Sequence, residues 1–299
     1  MTFCLRKILL FSLATICCLA VSVTPVWAAA NPGSSSFRQG IEALIAQRYP
    51  QAIAAFTEAI EQNTHLAAAY GNRCLAYLSL DQYPQAIADC TQALQHQPNS
   101  AEFYLNRGLA HYRLGEYAPA IADYTQALSF KPDDYRAFYN RGLAQFGLTN
   151  YSAAIADYNQ SLQVSPPLAA DRLAAIYDDR GVAYLQQQES IAAKQDFIQA
   201  IQYNAADTRA LFNLACACHQ QGHELAAIAY FDQVLELAPK HAQTYLNRAM
   251  IYQQIGNHPQ AIADLNQAAD CFYQQGRQAA YRRVMQILTH LQAQPAVFG

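Results

Sequence analysis

Residues 101–134 read AEFYLNRGLAHYRLGEYAPAIADYTQALSFKPDD, and two short amphipathic stretches lie inside them. In the first, Tyr104, Gly108 and His111 recur at helical spacing; in the second, Ala120, Ile121, Tyr124, Ala127 and Leu128 do so more clearly. Gly115 falls in the turn between them, Pro119 suits the first turn of the second helix, and Pro132 closes the stretch. A helix pair this short cannot bury both of its apolar faces alone. It needs neighbours, and the chain supplies them.

At a period of 34 the stretch recurs as seven units: 33–66, 67–100, 101–134, 135–168, 174–207, 208–241 and 242–275, with 169–173 inserted. The eighth position carries Gly40, Cys74, Gly108, Gly142, Gly181, Ala215 and Ala249, and the twentieth is alanine throughout (Ala52, Ala86, Ala120, Ala154, Ala193, Ala227, Ala261). Phe56, Cys90, Tyr124, Tyr158, Phe197, Phe231 and Leu265 occupy the twenty-fourth, and Pro98, Pro132, Pro166 and Pro239 the thirty-second. Small residues let two helices approach closely. The large twenty-fourth residue is expected to fill the space toward the next unit, and proline ends each unit. Leu168 to Tyr184 reads as one helix that starts more than a turn early. After 275 the period stops, and Gln278 to Gln292 reads as a terminal helix covering the last apolar surface, before a tail at 293–299.

The pattern resembles the tetratricopeptide repeat family over residues 33 to 275. That resemblance implies an all-α, right-handed superhelical solenoid of seven helix-turn-helix repeats plus a C-terminal capping helix, with the first helices lining a concave groove. The first unit departs most, with Ser36 where the family has a large aromatic.

Comparison between units isolates a charge pair. Arginine stands at the seventh position as Arg73, Arg107, Arg141, Arg180 and Arg248; aspartate stands at the twenty-third as Asp89, Asp123, Asp157, Asp196 and Asp264. The first unit has Gln39 and Ala55 and the sixth Leu214 and Tyr230, so both charges vanish together. Matching each aspartate to the arginine of the following unit fails at the fifth-to-sixth step. The spacing therefore predicts pairs within units: Arg73–Asp89, Arg107–Asp123, Arg141–Asp157, Arg180–Asp196 and Arg248–Asp264.

In the resembled family the second, fifth, sixth, ninth, twelfth and thirteenth positions face the groove. The sixth carries Asn72, Asn106, Asn140, Asp179, Asn213 and Asn247, and an amide offers both donors and an acceptor to a peptide backbone. Tyr112, Tyr139, Phe146 and Phe212 lie among these positions and would supply side-chain pockets. The alternative is that the amides brace neighbouring helices. The basic clamp with which some family members hold a C-terminal carboxylate is not matched: Ala68, Asn72, Glu102 and Asn106 stand in its places. The implied function is a protein-binding scaffold or assembly factor taking an extended segment in the groove; the rival is a structural or oligomerisation solenoid with no groove ligand.

The first 28 residues read differently. Arg6 and Lys7 precede an uncharged apolar run from Ile8 to Val23, and small residues up to Ala28 offer a cleavage site. The run is shorter than a bilayer-spanning helix of ~20 residues. Export to a periplasm or comparable lumen with removal of 1–28, leaving a short lead at 29–32, is therefore expected. It would leave 17 basic against 22 acidic residues, a mildly acidic chain without a basic tract, so nucleic acid is not expected as a partner. Membrane contact would come only through an uncleaved signal segment.

The 299-residue chain is 53% hydrophobic and 14% charged, without alternating β-branched runs. No phosphate-cradling glycine loop, nucleophile elbow or His-Glu-x-x-His appears, so no enzyme activity or cofactor is expected. Cys216-Ala-Cys218-His219 invites a metal, but its cysteines point about 200° apart on a helix, so none is expected there either. Of the five cysteines beyond the signal, Cys74 and Cys90 lie in partner helices of one unit and form the pair to test for a bond.

Overall fold

A computed structural model describes residues 35–164 and 168–293. The signal segment, the lead, Pro166-Pro167 and the tail from 294 onward lie outside the described residues.

The described residues form fifteen α-helices and no strand. They fall into two compact halves, divided between Leu168 and Ala169. The first half holds α1 (Ser35–Ile45), α2 (Tyr49–Glu61), α3 (Leu66–Ser79), α4 (Tyr83–His96), α5 (Ala101–Arg113), α6 (Tyr117–Phe130), α7 (Tyr135–Gly147) and α8 (Tyr151–Gln163). The second holds α9 (Ala170–Gln186), α10 (Ser190–Tyr203), α11 (Thr208–Gln220), α12 (Glu224–Leu237), α13 (Ala242–Gln254), α14 (His258–Gln274) and α15 (Gln278–Ala293). Odd-numbered helices up to α13 are the first helices of their repeats, and even-numbered ones the second.

Local sequence sets the boundaries. Pro50, Pro84 and Pro259 sit in the first turns of α2, α4 and α14, where a missing N–H costs nothing. Ser100, Asp134 and Asp207 cap α5, α7 and α11 through side-chain oxygens that accept backbone N–H bonds. Between the helices of every repeat the fifteenth residue turns left-handed: Gly115, Gly222 and Gly256 do so without strain, whereas Gln47, Asp81, Thr149 and Gln188 hold φ between 56° and 65°.

The eighth and twenty-fourth positions meet inside one repeat, and the large residue also packs toward the next unit, as Tyr124 does with Ala137 and Ala144. A Cβ added to Gly108 would lie 2.8 Å from Tyr124, and at Gly142 and Gly181 it would lie 2.7 Å from Tyr158 and Phe197. The ring thus occupies the space that a side chain at the eighth position would need. In the second repeat the same socket holds Cys74 and Cys90, joined by a disulfide with Cα atoms 5.5 Å apart, both wholly buried.

Within the first half, first helices of successive repeats touch: α1 with α3, α3 with α5 and α5 with α7. α2, α4 and α6 each pack between their own first helix and the next one. α9 touches α11 in the same way in the second half. There α15 closes α14, burying Val284, Leu288 and Leu291 against Phe272 and Leu265.

Candidate functional site on the first helices

The arginines at the seventh position fasten the repeats. Arg107 Nε and Nη2 donate to Asp123 Oδ2 and Oδ1 at 2.9 and 2.7 Å. Equivalent two-pronged bonds join Arg73 to Asp89, Arg141 to Asp157, Arg180 to Asp196 and Arg248 to Asp264. Each guanidinium also lies over the aromatic ring at the fourth position (Tyr70, Tyr104, Phe138, Tyr177 or Tyr245), 5.3–5.7 Å from its centroid. The bond to Asp123 raises the pKa of Arg107 despite the opposing effect of burial.

Sequence comparison missed the third contact of these arginines. Nη1 reaches back to the twenty-fifth position of the preceding repeat, from Arg73 to Thr57, Arg107 to Thr91, Arg141 to Thr125 and Arg248 to Asp232. The signal was present in the chain. Ile198 stands at that position ahead of the sixth repeat, the one whose arginine is replaced by Leu214.

The sixth-position side chains Asn72, Asn106, Asn140, Asp179, Asn213 and Asn247 are all buried. Their engagement differs from one repeat to another. In the second half, Asn213 Nδ2 donates to Asp178 Oδ1 at 2.9 Å, and Asn247 Oδ1 accepts from Gln243 Nε2 at 2.7 Å. In the first half, Asn106 Oδ1 and Asn140 Nδ2 are buried without a hydrogen-bond partner.

Beside them lies an ionic cluster. Arg136 is gripped by Asp134 through Nε at 3.0 Å and Nη2 at 2.7 Å, and its Nη2 also donates to Glu102 Oε1 at 2.5 Å. Burial works against the Arg136 charge, but these bonds outweigh it and raise its pKa. Glu102 Oε2 is buried and has no partner. A second cluster joins α9 and α11: Arg209 Nε lies 2.6 Å from Asp178 Oδ2, out of line for a hydrogen bond, and Nη1 donates to Asp179 Oδ1 at 3.0 Å. Asp178 is wholly buried, and burial, only partly offset by Arg209, pushes its pKa up to about 7.

Aromatic rings on α5 and α7 pair with rings of the second helices. Half-buried Tyr112 lies 5.7 Å from Tyr117, Tyr139 lies 6.0 Å from Tyr158, and Phe146 lies 5.2 Å from Tyr151. Phe212, in the second half, is buried between Phe231 and His241. Among the described residues no three His, Cys, Asp or Glu side chains gather closely enough to hold a metal ion, and no helix is long and apolar enough to cross a membrane.

Profiles of the tetratricopeptide repeat match residues 73–135, 114–170, 208–241 and 230–263. No curated protein matches the sequence. Among solved structures, a tetratricopeptide repeat protein from Parabacteroides merdae is 19% identical, with 84% of this chain and 97% of that one covered and a TM-score of 0.62. PilF of Pseudomonas aeruginosa is 20% identical over 74% of this chain and 96% of its own, with a TM-score of 0.60. YrrB, described as a TPR protein with an unusual peptide-binding site, is 22% identical over 61% of this chain and 91% of its own, with a TM-score of 0.52. At these identities the likeness is one of fold.

Proposed function

The chain belongs to the tetratricopeptide repeat family, and from that premise we propose that it is an exported scaffold that holds an extended segment of a partner protein along its first helices. A fold of this family serves protein–protein interaction. The finer reading rests on one observation, the buried Asn106 Oδ1 and Asn140 Nδ2 that lack partners on neighbouring helices α5 and α7. One acceptor and one donor are what a peptide group, with its N–H and C=O, would complete. Tyr112, Tyr139 and Phe146 would give such a segment apolar contact on either side. That YrrB carries a peptide-binding site on a similar fold is consistent with this.

Export is supported by Arg6, Lys7 and the apolar run after them, and by the Cys74–Cys90 disulfide, since such bonds persist in oxidising compartments. The rival reading, a solenoid with a purely structural role, draws on Asn213 and Asn247, whose amides already serve contacts within the fold.

Peptide display on the intact chain tests the proposal. Peptides selected on the wild type should lose about tenfold or more in affinity for Asn106→Ala/Asn140→Ala, in line with the loss of two buried hydrogen bonds. Circular dichroism must show the variant folded. Binding unchanged in that folded variant would leave the structural reading standing.

A further inference from the structure

We infer that the floor between α5 and α7 selects a partner segment bearing a basic side chain, lysine or arginine, with Glu102 as its counter-ion. This deepens the groove reading above and rests on it.

The geometry comes first. Glu102 and Asn106 stand four residues apart on α5, so their side chains share one face. Arg136 and Asn140 repeat that spacing on α7, and the bond from Arg136 to Glu102 Oε1 joins the two rows. Within this patch Glu102 Oε2 and Asn106 Oδ1 are both buried and both without a donor. A carboxylate oxygen in that condition is costly and calls for a donor. An ammonium offers three and a guanidinium five, and a charged donor makes the stronger bond to a carboxylate. The Glu102 side chain keeps a quarter of its surface in solvent, with Oε2 on its buried side. Asn140 Nδ2, the one unanswered donor, is left for a backbone carbonyl of the same segment.

The cations on hand do not serve that carboxylate oxygen. Arg136 is held by Asp134 and by Glu102 Oε1, and Lys131 lies 3.5 Å from Asp134 Oδ2, so Glu102 Oε2 is left without a donor. Arg113 lies eleven residues further along α5, about 16 Å by helical rise, so it does not serve that oxygen either.

The test uses the peptides selected by display on the full chain. They should share a lysine or arginine, and Glu102→Gln should weaken their binding by about tenfold or more, as for a close charge pair at an interface. Replacing that lysine with norleucine, a change that leaves the protein untouched, should weaken binding to the wild type as much and weaken binding to the Glu102→Gln variant no further. Calorimetry reads the affinities, and a thermal melt checks the variant. Selected peptides that lack a basic residue, or whose affinity is indifferent to Glu102→Gln in a folded variant, overturn this inference. Where those same peptides still depend on Asn106 and Asn140, backbone capture survives; where they do not, both readings fall.

Discussion

Removing one partner of the Arg107–Asp123 pair should harm the protein more than removing both. Asp123 is buried, and its two oxygens are taken by Arg107 Nε and Nη2 at 2.9 and 2.7 Å. Arg107→Ala leaves that carboxylate without a counter-charge, at a cost of about 3–5 kcal/mol for a pair broken in the interior. Loss of the guanidinium over Tyr104 adds about 0.5–1 kcal/mol. The double change Arg107→Ala/Asp123→Ala also gives up the stacking and the bond to Thr91, but it strands no charge, so its cost is about 1–2 kcal/mol. The single variant should therefore be the less stable by about 2 kcal/mol, the difference between those ranges. Urea unfolding at fixed ionic strength measures both, and hydrogen exchange in α5 and α6 locates the loss. A single variant as stable as the double, or more stable, refutes the reasoning.

Other perturbations have equally direct readouts. Reducing Cys74–Cys90, whose residues are 16 apart in sequence, should lower stability by about 3 kcal/mol, visible as a lower melting temperature with reductant present. Asp178 has a pKa of about 7 when folded against about 3.9 unfolded, so the native state holds the proton longer. Stability should thus fall as pH rises from about 4 to about 7, and Asp178→Asn should flatten that part of the denaturation profile. Thr149 is β-branched yet left-handed at φ 61°; Thr149→Gly should add up to about 1 kcal/mol in chemical denaturation.

The fold was legible because each repeat must present the same surfaces to its neighbours, so the demands at Gly108, Ala120, Tyr124 and Pro132 recur every 34 residues. The arginine–aspartate pairs were legible for a related reason. A buried aspartate without its arginine is too costly to keep, so the two come and go together, as in the sixth repeat. Side-chain direction was not. Nothing in the spacing says that Tyr124 lies back over Gly108 as well as packing toward α7. Nor does it say that Asn213 turns toward Asp178 while Asn106 Oδ1 stays unanswered, since both depend on rotamers and on how closely the helices approach. Glu102 is not legible as a site, because its position in the sequence shows only that a basic clamp is missing.

Cys74 and Cys90 occupy the socket that a glycine and an aromatic ring fill in the third, fourth and fifth repeats, so the second repeat is sealed by a covalent bond where those rely on shape. Next to it stands the repeat with Gln39 and Ala55, the one of the first half that lacks the arginine–aspartate fastening. In a chain of nearest-neighbour contacts, opening that starts in a weak repeat spreads one joint at a time. Here it meets a cross-linked pair of helices at the first joint, and Arg73, itself on the cross-linked helix α3, grips Thr57 across that joint. The disulfide thus acts as a firebreak: fluctuations in α1 and α2 are halted before they reach α5 and α7, where the unpaired amides lie.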